Sequence, residues 1–131
     1  MASLGDTTRT NRVARISTDV GTTGYLFVYT GSAPSKTAAA TGTKLVSMPT
    51  ANPFGSSASA VLTASAIANQ NGLASGTPGY FRLCSSSLED GTNVILQSSA
   101  GVSSGDLSFS ATVSLGGQVS ITSFTVTDGN A

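Results

Sequence analysis

Between residues 107 and 115 every second residue is apolar: Leu107, Phe109, Ala111, Val113 and Leu115 alternate with Ser108, Ser110, Thr112 and Ser114. Successive side chains of a β-strand point to opposite faces of its sheet. A period of two therefore describes a strand with one buried face and one hydroxyl face in water. A helix spreads the same residues around its circumference. Gly116-Gly117 follows and supplies the positive φ values of a tight hairpin, after which Val119 and Ile121 resume the alternation. Phe124 and Val126 fall on the opposite parity, which predicts one extra residue, a β-bulge, near Thr122-Ser123.

The rest of the chain repeats this theme in shorter pieces. Tyr25–Tyr29 is aromatic and β-branched between Gly24 and Gly31, and Tyr80–Cys84 lies between Gly79 and a serine run. Lys44–Met48 is a short strand closed by Pro49, and Asn52-Pro53 marks a turn. Val94–Gln97 is entered through Asp90-Gly91, a good turn dipeptide. Ser56–Asn71 holds enough alanine for a helix but alternates weakly, which favours a strand around Ala60–Ala64. Thr30–Thr43, rich in Gly, Ser, Pro and Ala, reads as a loop. Seven or eight short strands with Gly/Ser/Pro turns predict an all-β chain. The expected architecture is a single antiparallel β-sandwich or jelly-roll-like domain over residues 21–131. It is preceded by an N-terminal arm or short helix over 1–20. Within that stretch residues 1–10 read as an arm. Val13, Ile16 and Val20 fit one face of a helix over 11–20 with Thr10 or Asn11 as N-cap, or else an extended segment.

A chain of 131 residues is one ordinary domain, large enough to bury a core. Only 9% of it is charged, whereas Ser and Thr together number 40. Its solvated faces are thus covered by hydroxyls, and its net charge of zero favours association. That balance argues against nucleic acid as a partner, because such binding neutralises phosphates with Lys and Arg. No stretch approaches the ~20 apolar residues of a membrane span. With no His, neither a Ser-His-Asp nor a Cys-His centre can be assembled, and one Cys leaves no N/S metal site. Phosphate-binding glycine loops and nucleophile elbows are missing too. We therefore expect no enzyme activity, no cofactor and no small-molecule substrate. Glu89-Asp90 beside Gly91 reads as a turn. A calcium site from Asp90 and Asn93 matches no loop signature. Cys84 reads as a buried thiol, and the strand aromatics as core or interface rather than sugar platforms.

One charge pattern remains. Arg9, Arg12 and Arg15 hold half of the six basic residues. They describe either a solvated face or a partner-binding arm whose guanidinium forks meet carboxylates on a neighbour. The arm reading predicts that residues 1–15 can be removed with the β domain still folded, and that salt weakens docking.

The layout GYLFVYTGSAPS, KLVSMPTANPFGSSASAVLTASAI, GTPGYFRLCSS, DGTNVILQ and SGDLSFSATVSLGGQVSITSFTVT covers about residues 20–127. It resembles small proteins of tailed-bacteriophage and prophage structural modules, some of them capsid decoration (cement) proteins with β-sandwich folds. The resemblance implies a homo-oligomer, a dimer or trimer, made in a bacterial cytoplasm. It would bind a major capsid or other virion protein and end in the virion, at the head or at the neck, collar, tail or fibre. A host-ligand-binding module on a fibre is the remaining alternative. The motifs are structural, and they carry over no site residue.

Overall fold

The computed structural model describes residues 4–87, 93–102, 107–109, 112–121 and 124–127. The expected Asp90-Gly91 turn and Thr122-Ser123 bulge, and the first three residues of the arm, lie outside them. Among the described residues one helix, α1 (Asp6–Val20), precedes ten strands. These are β1 (Tyr25–Tyr29), β2 (Lys44–Pro49), β3 (Gly55–Ala58), β4 (Val61–Ala64), β5 (Gln70–Asn71), β6 (Tyr80–Cys84), β7 (Val94–Val102), β8 (Leu107–Phe109), β9 (Gln118–Val119) and β10 (Thr125–Thr127). Apart from α1, the regular structure of the described residues is all β. β1, β2, β4 and β6 fall where composition places them.

The strands form a five-stranded sheet in the order β2-β1-β6-β7-β8, a three-stranded sheet β10-β4-β3 and a two-stranded ribbon β5-β9. Among the described strands every pairing but one is antiparallel; β8 joins β7 in parallel, Ala100 to Val102 against Leu107 to Phe109. The main core gathers Leu26 and Val28 of β1 and Phe81 and Leu83 of β6 with Phe54, Leu62 and Phe124. Phe124 stands edge-on to Phe81 at 5.4 Å and to Phe54 at 6.1 Å, the geometry that the ring quadrupole favours.

Helix α1 begins earlier than its apolar spacing predicts, so residues 6–10 are helix rather than arm. Gly5 takes the N-cap position in an extended conformation, and Asp6 sits in the first turn, where a carboxylate complements the helix dipole. Gly21, at φ 66°, ends it and returns its N–H to the Ser17 carbonyl. Thr10, an expected N-cap, instead accepts the Ala60 N–H on its hydroxyl at 2.8 Å. Val13 and Val20 are buried and Ile16 packs on the same core. Ser17 Oγ meets the Gly55 backbone at 3.3 Å. The helix is thereby fastened to the β3–β4 hairpin.

That hairpin turns at Ser59-Ala60, with φ of 50° and 64°. Two positive φ values across a two-residue loop define a type I′ turn, normally built with Asn or Gly. The Thr10 hydroxyl caps it from outside.

The C-terminal hairpin expected at Gly116-Gly117 is not formed. Gly116 does adopt φ 75°. However, β9 pairs with β5, Gln70 opposite Val119, and the segment after β5 bridges Gly72 to Leu115 and Gly76 to Val113. The turn itself is closed by the Gly117 N–H donating to the Ser114 carbonyl at 2.9 Å, and residues 70–76 run along both of its arms. The Gly72 N–H donates to the Gly117 carbonyl at 2.7 Å, and the Gly116 N–H to the Gly72 carbonyl at 2.9 Å. A Cβ on Gly72 would collide with the Ser114 carbonyl, so only glycine permits this approach.

Candidate partner-binding surfaces and the buried polar cluster

The three arginines lie on one flank of α1. Arg9 pairs with Asp6, and Arg15 Nε meets Asp19 Oδ1 at 2.8 Å. Arg12 is exposed between them. Spacings of three and four place Asp6, Arg9, Arg12, Arg15 and Asp19 along a stripe that winds about halfway round the helix. The stripe is mixed in sign, so its field on an acidic neighbour is weaker than three arginines alone would make it. Exposed pairs of this kind are each worth about 0.3–0.5 kcal/mol to the helix.

A second surface is apolar. Among the described residues the exposed large hydrophobics are Leu4, Leu73 and Leu115, at 39%, 53% and 69%. The Gly72–Leu115 bridge brings the last two to one corner. The corner is rigid: the Leu115 N–H donates to Ser75 Oγ at 2.9 Å and the Leu73 N–H to the Leu45 carbonyl at 2.7 Å. The alternation in 107–115 marks Leu115 as core. It is instead exposed, at the end of a segment bridged to Gly72 and Gly76.

The most elaborate polar cluster lies on the outer face of the large sheet. Alternation in β1 sends Leu26 and Val28 inward and Tyr25, Phe27 and Tyr29 outward. Register then places Tyr80 beside Tyr29, Arg82 beside Phe27 and Cys84 beside Tyr25. Tyr25 stacks on Phe27 with centroids 5.8 Å apart, and Tyr29 on Tyr80 at 4.9 Å. Lys44 Nζ lies 5.0 Å from the Phe27 centroid. Phe27, Tyr29, Tyr80 and Cys84 form a separate buried cluster, with Ala40 of the Thr30–Thr43 loop packed on it.

That loop is a strap across the face, and Arg82, fully buried, holds it. Its Nη2 donates to the Ser35 and Ala38 carbonyls at 3.1 and 2.9 Å, and its Nε donates to Gln97 Oε1 at 2.6 Å. Gln97 Nε2 donates in turn to the Pro34 carbonyl at 2.6 Å. The Tyr80 hydroxyl donates to the Thr41 carbonyl at 2.6 Å and accepts the Thr41 N–H at 3.0 Å. Composition marks the loop but says nothing of this cluster. The one available signal is a cation in Tyr80–Cys84, a strand apolar on both of its faces.

A groove of about 370 Å³ between the two larger sheets is lined by Phe81, Leu96, Ser98, Phe124 and Thr125–Thr127. Its walls are apolar and hydroxyl groups, which can shelter a surface but cannot move a proton near neutral pH. Among the described residues no three His, Cys, Asp or Glu converge as for a metal, and no helix is long and apolar enough to cross a membrane.

Among the described residues these features define an all-β class of protein in which Arg9 and Arg15 serve local helix pairs and Arg82 anchors a loop. Comparison with protein-family models, curated proteins and solved structures yields no match.

Proposed function

We propose that this protein is a structural component of a tailed-bacteriophage particle: a capsid decoration protein, folded as a jelly-roll-like β-sandwich, that packs with copies of itself on the lattice of the major capsid protein. It acts by contact and needs no cofactor. The observation that carries this reading is the corner at residues 72–76 and 113–117. It displays Leu73 and Leu115 on a hydrogen-bonded frame rimmed by Ser75 and Ser114. Exposed leucines set among hydroxyl side chains are apolar anchors of the kind an interface buries. The motif layout of residues 20–127 points to the same class of protein. A surface of few charges suits a crowded shell, where many modest contacts act together.

The test is cosedimentation of the purified chain with phage heads. The wild type is expected to pellet with the shells saturably, and Leu115→Ser with Leu73→Ser to weaken that binding with the monomer still folded. Equal binding by the double variant would remove the corner from the account, and no binding to heads would remove the decoration role.

A further inference from the structure

We infer that residues 31–42 form a latched cover that opens as a unit about Gly31 and Gly42, with Arg82 as its latch. The inference goes beyond the proposed function and does not depend on it. Three observations carry it.

The ends of the strap are glycines in the left-handed region, Gly31 at φ 83° and Gly42 at φ 78°. They lie just inside a clasp in which the Thr30 N–H donates to the Thr43 carbonyl at 3.0 Å and the Thr43 N–H to Thr30 Oγ1 at 2.9 Å. This clasp fixes where the strap joins the sheet, and a change of conformation is confined to what lies between. At Gly42 the confinement is tight, since a Cβ there would strike the Thr30 carbonyl.

The strap is held chiefly through its own carbonyls. Pro34, Ser35, Ala38 and Thr41 each present a backbone oxygen to a side chain of the sheet. Apart from Pro34 and Ala40, residues 31–42 are exposed. The neutral bonds from Tyr80 and Gln97 exchange for bonds to water with a small net change, whereas the two from the Arg82 guanidinium are charge-assisted and do most of the holding. The strap therefore belongs to the low-stability end of the molecule and opens without the core.

The face beneath is aromatic, and its burial opposes opening. Phe27, Tyr29 and Tyr80 have at most 2% of their surface in solvent. The closed state dominates, and opening bares two tyrosine rings. The chain has no Trp, so tyrosine emission reports that change directly.

Lys36, at the exposed crest, is the only trypsin site within 31–42. The experiment is limited trypsin digestion of the full chain, wild type against Arg82→Met and Gln97→Ala, followed by mass spectrometry. Acrylamide quenching of tyrosine emission is measured in parallel. Cleavage after Lys36 is expected to be roughly tenfold faster in Arg82→Met and severalfold faster in Gln97→Ala, with quenching rising in the same order. Should Arg82→Met fail to fold, Gln97→Ala and hydrogen exchange in the wild type decide. The Thr41 amide is expected to exchange well before the β1 amides without denaturant. Cleavage after Lys36 unchanged in a folded Gln97→Ala, or a Thr41 amide exchanging only with global unfolding, would overturn the latch.

Discussion

Shortening Val13 to alanine tests how the N-terminus is used. Val13 is 4% exposed and sits where α1 crosses the β3–β4 hairpin. Removing the equivalent of two methylenes costs about 1.6 kcal/mol of burial at ~0.8 kcal/mol each. The cavity left behind adds to this, to a total of roughly 2 kcal/mol. Alanine is the better helix former by about 0.5 kcal/mol, so the net loss is ~1.5 kcal/mol. With a urea slope of about 1.5 kcal/mol/M, the unfolding midpoint should fall by roughly 1 M with an unchanged slope. Arg12→Ala, one residue away and facing solvent, should stay within ~0.5 kcal/mol of wild type. Urea titrations followed by circular dichroism read both. A Val13→Ala midpoint equal to that of wild type, or an equal loss in Arg12→Ala, would refute the docked helix.

The Thr10 hydroxyl leads to a second expectation: Thr10→Val, which keeps the shape and deletes the acceptor for the Ala60 N–H, should cost about 1–2 kcal/mol in the same titration. Ser59 is exposed at φ 50°, so Ser59→Gly should raise stability by about 0.5–1 kcal/mol, seen as a higher melting temperature. A Cβ on Gly24 would overlap Val20 Cγ1 and lie 2.6 Å from Thr50 Oγ1, so Gly24→Ala should lower the melting temperature by prising the end of α1 from the sheet. The Cys84 thiol is fully buried, and its reaction with a disulfide reagent should follow opening of the native state, accelerating steeply as urea approaches the midpoint.

The legible parts of the fold were those set by local chemistry. Tyr25–Tyr29 and Tyr80–Cys84 are strands because aromatic and β-branched side chains fit a pleated, buried surface, and both occupy the expected residues. Val13, Ile16 and Val20 announce a helix face through their spacing alone. What stayed hidden depends on distant partners. The Ser59-Ala60 turn carries no glycine or asparagine, so the hairpin of β3 and β4 has no local mark; a hydroxyl 50 residues earlier supports it. Gly116-Gly117 does turn the chain, yet the flanking segments pair with residues 70–76. The expected site divides in the same way. Arg9, Arg12 and Arg15 do share one flank, but two of them pair with acids a turn away, which a count of arginines overlooks. Arg82 became visible only when register set it beside Gln97 beneath the strap.

The central claim is that this chain works by lattice contact as part of a virus shell. It is tested most directly by quantitative mass spectrometry of purified phage particles from cells that make it. The account predicts a copy number comparable to that of the major capsid protein, retained through gradient purification. Particles that are complete and infectious without the chain, or a chain recovered only in the particle-free fraction, would contradict it.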